Sequence, residues 1–154
     1  MGDLILYPLF AFAACIGFAV VYNIHGPGIL ICAFGGALGW LAYLLSAPLL
    51  QSDISQTLVA AVVIAAYAEI MARIRRCPVT GYLLVAIFPL VPGGGVYYTM
   101  EHAVNGENQL FLDSFLHTLG LAGAIAVGVL LVSSLVRMWG IFHHHVAQKK
   151  EGGV

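Results

Sequence analysis

The stretch YLLVAIFPLVPGGGVYYTM, from Tyr82 to Met100, interrupts what would otherwise read as a continuous membrane-spanning helix. Pro89 and Pro92 each lack a backbone N–H and clash with the preceding turn of a helix. Three glycines follow directly at 93–95, and glycine has little preference for the helix. Irregular backbone at membrane depth persists only where protein or a water-filled cavity satisfies its polar groups. The stretch therefore predicts a helix that is broken near its middle.

Discontinuous helices of this kind supply transporters with free N–H and C=O groups for binding a solute. Our hypothesis is that the break binds an anionic or zwitterionic solute, and the alternative is a kinked or re-entrant helix that only packs against its neighbours. The candidate substrate-binding residues at the break are Pro89, Pro92, Gly93, Gly94, Gly95 and Tyr97. For Tyr97, anchoring at the membrane interface is an equal alternative.

The whole chain of 154 residues is strongly apolar, with 61% hydrophobic and only 8% charged residues. Soluble domains carry about 25% charged residues, so this chain cannot cover a surface exposed to water. Its six Lys and Arg are too few for a nucleic-acid-binding surface. We find no catalytic pair, metal-ligand set or phosphate-binding loop, so we expect neither an enzyme nor a bound metal or cofactor.

The hydrophobic pattern predicts an all-α integral membrane protein. A bilayer core about 30 Å thick needs about 20 apolar residues per helix. The predicted transmembrane helices cover approximately residues 4–22, 29–50, 55–72, 82–98 and 115–137, the fourth being broken by the Pro/Gly motif. Together they predict a single transmembrane domain over 1–142, followed by a cytoplasmic tail over 143–154.

With five spans, all basic residues fall on one side of the membrane. They are Arg73, Arg75, Arg76, Arg137, Lys149 and Lys150. The opposite side holds Asp3, Asp53, Glu101, Glu107 and Asp113. Because basic residues concentrate on the cytoplasmic side, this distribution predicts that the N-terminus lies outside and the C-terminus inside.

Two polar residues at or within the predicted spans have two interpretations each. Glu69 is the only acid inside a span, and such carboxylates usually face a bundle interior or a water path. It either couples protons or pairs with Arg73, which lies four residues later in the order that favours a helical ion pair. Asn23 ends the first span and either caps that helix, which we favour, or reaches a polar site.

Two motifs give the chain a family resemblance. GFAVVYN at 17–23 and PLVPGGGVYYTM at 89–100 resemble the small subunit of the threonine/serine exporter family, which corresponds to the C-terminal half of longer exporters. RIRRCPVTG at 73–81 precedes the break at a similar spacing, and the resemblance covers approximately residues 10–140. The family motif includes Pro89, Pro92, Gly93 and Tyr97, with Asn23 at the end of the first span.

The resemblance implies proton-coupled secondary export of small amino acids across the bacterial cell membrane, without ATP or another cofactor. It also implies a larger membrane subunit as partner, and a homo-oligomer is a further option. Related two-subunit systems export succinate, so one alternative is a component of a dicarboxylate exporter. The other is a membrane scaffold that transports nothing and stabilises the larger subunit.

Overall fold

The computed structural model describes the backbone of residues 2–151 and the side chains of residues 4–139. This part of the chain is helical with short turns and contains no strand, which confirms the all-α prediction. The helices are α1 (Gly2–Val21), α2 (Gly28–Ser46), α3 (Asp53–Arg75), α4 (Val79–Ile87), α5 (Gly93–Asn105) and α6 (Asn108–Glu151), with a short 3₁₀ turn at Phe88–Leu90 between α4 and α5. The predicted tail over 143–154 lies outside the residues whose side chains are described.

Four of the described helices are long and apolar enough to cross a membrane, namely α1, α2, α3 and α6. The segments Val79–Leu90 and Gly93–Asn105 are long and apolar enough when they are taken together. They give a fifth candidate if they form one span. Its two segments meet at an angle of 54°. The chain is therefore a multi-pass membrane protein with four or five spans.

The turns after α1 and α3 close with the same backbone motif. Asn23 has a left-handed φ of 57°, its N–H donates to the carbonyl of Val20, and the N–H of Ile24 donates to the carbonyl of Ala19. Arg76 repeats this geometry after α3 with a φ of 51°. This arrangement satisfies the last carbonyls of a helix. Asn23 thus caps α1 through its backbone.

Helix α2 packs closely against three neighbours through glycines. A Cβ at Gly36 would collide with Cys15 Sγ of α1, and one at Gly39 would collide with the Ile64 side chain of α3. A Cβ at Gly35 would lie 2.9 Å from the Cβ of Ala86 in α4. Lipid gives helices no hydrophobic drive to associate, so close approach at small residues is what holds them. The close contacts of these glycines of α2 are therefore made with other helices of the same chain.

Helices α3 and α6 pack side by side and run in the same direction. A Cβ at Gly120 of α6 would contact Ile54, near the start of α3, and one at Gly128 would contact Ala61, two turns later. At the other end of α3, Arg73 Nη2 donates to the Val136 carbonyl at 3.4 Å. Because α3 and α6 are parallel, the chain between them returns to the end at which α3 begins.

The bend between α4 and α5 lies at Val91 and Pro92, where Val91 is extended with a ψ of 127°, as favoured for a residue before proline. Pro89, one turn earlier, changes the hydrogen bonding at the end of α4. In a regular helix the Val85 carbonyl would accept the N–H of residue 89, and proline has none. The Val85 carbonyl instead accepts the N–H of Phe88 and the buried thiol of Cys15, whose Sγ lies at 3.3 Å. Beyond the bend, α5 packs against α6, whereas α4 packs against α2 and α3. The two segments therefore have different neighbours.

Candidate functional site

A cavity of about 200 Å³ lies beside the break in the fourth helical segment. Four elements contribute to its walls. The lining residues are Trp40 and Tyr43 of α2, Asp53 and Thr57 of α3, Pro89, Leu90, Val91 and Pro92 of the break, and Leu121 of α6. The cavity thus lies where the α4 and α5 segments meet the end of α2 and the start of α3.

The turn between α2 and α3 fixes the position of Asp53 at the cavity. The buried amide of Gln56 donates from Nε2 to the Leu50 carbonyl at 2.7 Å, which ties the turn to the first turn of α3. Ser52 is extended and leads directly into α3, of which Asp53 is the first residue. An acidic residue in the first turn is also favoured by the helix dipole.

The cavity combines one carboxylate with hydroxyl groups and aromatic rings. Asp53 Oδ2 lies 3.8 Å from His117 Nε2 of α6, and both side chains are about half exposed. The ring of Trp40 meets that of Tyr43 edge to face at 5.3 Å, and Tyr7 of α1 stacks on Trp40 at 6.1 Å. Among the described residues that line the cavity, none is Lys or Arg. The site is therefore suited to a group that donates hydrogen bonds or carries positive charge.

The residues predicted at the break separate into two groups. Pro89 and Pro92 line the cavity. Gly93 begins α5, and its N–H donates to the Val91 carbonyl at 2.7 Å. Gly94 faces open space, and Gly95 packs directly on Thr118 of α6.

Tyr97 lies on the exposed surface of α5, 65% exposed, with its ring edge to face against Tyr98 at 5.5 Å. It does not line the cavity. Only the prolines of the predicted substrate-binding set therefore contact this space directly, and the glycines form the turn of helix that follows.

Glu69 and Arg73 lie in a different place from the break. They line a groove of about 330 Å³ between α3 and α6, together with Ala66, Ile70, Val132, Leu135, Val136 and Trp139. Glu69 is twelve residues after Thr57, which corresponds to about 18 Å along the helix axis. Within the part of the chain whose side chains are described, no ion pair joins Glu69 to Arg73.

Asn23 also lies away from the cavity. It follows α1 at the end of the bundle where α2 begins and α3 finishes, as shown by the hydrogen bond at 3.1 Å from the Tyr67 hydroxyl to the Ile31 carbonyl. The structure thus places Asn23, Glu69 and Arg73 towards one end and the cavity towards the other.

Sequence reasoning missed the residues of α2 and α3 that face the break. Asp53 entered only the charge distribution, and Trp40 and Tyr43 were not considered. The sequence did contain a pattern that indicates these residues. Trp40 and Tyr43 are three residues apart and so lie on one face of a helix, in the last turns before Asp53. What the sequence lacks is the information that α4 packs against α2.

The helices and the cavity together define a multi-pass, all-helical membrane protein with a cavity at a bent helix pair, and one carboxylate lines this cavity. A family model described as threonine/serine exporter, ThrE, matches residues 7–135. The chain belongs to the threonine/serine exporter ThrE family, as its motifs indicated. Neither a curated protein nor a solved structure matches the chain.

Proposed function

We propose that this chain is the small subunit of a secondary exporter of small amino acids of the threonine/serine type, located in the bacterial cell membrane. The family is one of exporters, which supports a transport role rather than catalysis. The observation that carries the proposal for this chain is the cavity beside Pro89 and Pro92, whose lining includes the Asp53 carboxylate. A helix broken at a polar cavity is the arrangement by which transporters bind a solute within the membrane.

In this proposal α4 and α5 together form one bent span, which gives five crossings. The parallel packing of α3 and α6 supports it, because one further crossing between them lets both run in the same direction. With five crossings, the arginines at 73, 75, 76 and 137 lie on one side, which we assign to the cytoplasm. The N-terminus is then outside and the C-terminus inside.

The break supplies the groups for the substrate carboxylate. The first turn of a helix leaves N–H groups without acceptors inside the helix, and Gly93, Gly94 and Gly95 form that turn of α5. The Gly93 N–H already donates to the Val91 carbonyl, so the groups offered to a solute are the N–H groups of Gly94 and Gly95. These two N–H groups and the positive end of the helix dipole favour an anionic group. Pro92, immediately before this turn, lines the cavity, so a carboxylate held at Gly94 and Gly95 would border it.

Proton coupling is assigned to Glu69, in the groove between α3 and α6. The absence of an ion pair with Arg73 within the described residues supports this role over a purely structural one. Coupling between Glu69 and the cavity requires a movement transmitted along α3, because the two sites are about 18 Å apart along the helix.

A larger membrane subunit of the same family is the proposed partner. Helices α1, α5 and α6 support this proposal, because they expose large apolar side chains along most of the part whose side chains are described. Part of this surface contacts lipid, and the remainder is available for a second protein.

The direct test is export of labelled threonine and serine from cells that contain or lack this chain, with the partner present in both. We expect faster efflux and a lower retained amount when the chain is present. Equal efflux of threonine, serine and succinate in both strains would contradict a transport role. Faster efflux of succinate alone would instead favour the dicarboxylate alternative.

A further inference from the structure

The cavity at the break has an unequal distribution of charge. Asp53 is its one acidic lining residue, and among the described lining residues there is no Lys or Arg to balance it. We infer that Asp53 is a specificity-determining residue that binds the ammonium group of the solute and disfavours dicarboxylates. This inference rests on the proposed function, and it concerns which solutes the same cavity accepts.

The carboxylate of Asp53 has room to accept hydrogen bonds from a solute. Its described ionic neighbour is His117 Nε2 at 3.8 Å, which exceeds hydrogen-bonding distance. The side chain is 57% exposed, and the Tyr43 hydroxyl is its hydrogen-bonding neighbour in the cavity wall. An ionised carboxylate has about four lone-pair positions, so an ammonium group could bind there without breaking a contact within the protein.

The aromatic residues support the same assignment. Trp40 and Tyr43 line the cavity with Asp53, and their rings meet edge to face at 5.3 Å. The face of an aromatic ring attracts a cation, most strongly in tryptophan. Carboxylate and rings together therefore favour a positively charged group at the α2–α3 side of the cavity.

A dicarboxylate is disfavoured by the same distribution of charge. One of its carboxylates could be placed near the first turn of α5, but the other would face Asp53 with like charge, and the described lining residues include no Lys or Arg to offset the repulsion. The volume of about 200 Å³ also fits a small solute. Pockets for drug-sized ligands are larger, at about 300–1,000 Å³.

The test uses membrane vesicles, prepared in both orientations, from cells in which the native chain is replaced by wild type, Asp53→Asn, Asp53→Glu or Asp113→Asn. Asp113 is an exposed acid on α6 that does not line the cavity, so its variant is the matched control. Counterflow of labelled threonine gives KM. The competitors are threonine methyl ester, which keeps the ammonium group, N-acetylthreonine, which lacks it, and succinate.

We expect the ester to inhibit the wild type and N-acetylthreonine and succinate to have little effect. Asp53→Asn should raise the KM for threonine by about tenfold or more, because a hydrogen bond to a charged group is lost. It should also weaken inhibition by the ester. Asp53→Glu should recover part of the affinity, and Asp113→Asn should match the wild type.

An unchanged KM in Asp53→Asn, with normal wild-type transport, would overturn the role of Asp53 and leave the proposed function standing. Inhibition of the wild type by N-acetylthreonine as strong as by the ester would overturn it as well. A lower maximal rate that follows lower abundance, at unchanged KM and inhibition, would indicate a structural role and reject the inference. Wild-type vesicles that carry neither threonine nor serine would overturn the proposed function itself.

Discussion

Helices α4 and α5 are similar in their apolar character but differ in how the protein holds them. Helix α4 buries Tyr82, Val85 and Ala86 against α2 and α3, whereas Thr99 is the only buried residue of α5. Helix α5 packs on α6 and leaves Tyr97 and its other large apolar residues exposed. The Pro/Gly motif is therefore a junction between a fixed helix and a loosely held one, rather than a kink in a uniform helix.

This difference has a consequence for function. A cavity at such a junction can change shape by movement of one wall while the other walls stay in place. Its other three walls are Trp40 and Tyr43 of α2, Asp53 and Thr57 of α3, and Leu121 of α6, and its fourth wall is the break itself. Transporters build solute-binding sites at discontinuous helices of this kind.

The largest effect is expected from straightening the junction. Pro92→Ala with Gly93→Ala makes a continuous helix more favourable by about 4 kcal/mol, since proline costs about 3 and glycine about 1 relative to alanine. We expect threonine efflux to collapse while the abundance of the partner subunit holds. Pro8→Ala with Gly17→Ala, the same changes within α1, is the matched control and should leave efflux intact. If the abundance of the partner falls in proportion to efflux, the scaffold alternative is favoured and the transport role of the break is refuted.

The next largest effect is expected where α2 packs against α1 and α4. Gly36→Ala places a Cβ against Cys15 Sγ and 3.5 Å from the Ala86 carbonyl oxygen. Such overpacking costs about 1–3 kcal/mol. Thermal unfolding in detergent should therefore begin at a lower temperature. Gly123→Ala has open space around its Cβ and should be neutral or slightly stabilising. Equal stability of the two variants would show that α2 is less closely packed than described.

A smaller loss of stability is expected at the single interface of α5. A Cβ at Gly95 collides with Thr118 Oγ1, whereas one at Gly94 meets nothing within 4 Å. We expect Gly95→Ala to cost about 1–2 kcal/mol and Gly94→Ala to be tolerated. Adding Thr118→Ala to Gly95→Ala should recover stability, measured as a double-mutant cycle. Additive losses would contradict the contact between these two residues.

The smallest effect is expected at the hydrogen bond that compensates for Pro89. Cys15→Ala adds no bulk beside Gly36 and removes the donor to the Val85 carbonyl, and the lost hydrogen bond costs about 0.5–1.5 kcal/mol. Cys15→Ser keeps a donor and should lose less. The comparison is made by the temperature of thermal unfolding of the two variants. A Cys15→Ser variant less stable than Cys15→Ala would indicate that the hydrogen bond does not determine stability at this position.

The fold was largely predictable because apolar stretches and charge are coarse features of the sequence. The sequence indicated all the membrane-length helices and the family, and the family model confirms the latter. The position of the cavity was not predictable, since it depends on α2 packing against α4 through Gly35 and on the turn that places Asp53. Glu69 was a candidate because it is the one acidic residue within a predicted span. Asp53 lies at the start of a helix, where acidic residues are common.

The measurement that tests the central claim most directly is protection of the cavity by substrate. Val91 lines the cavity and is 47% exposed, and Val104, 86% exposed on α5, lies outside it. Cysteines at these two positions, each in a Cys77→Ala background that leaves only the buried Cys15 and Cys32, are treated with a thiol reagent in membranes. We predict that threonine slows modification of Val91→Cys and has no effect on Val104→Cys. Equal modification rates at position 91 with and without saturating threonine or serine would contradict a substrate site at the break.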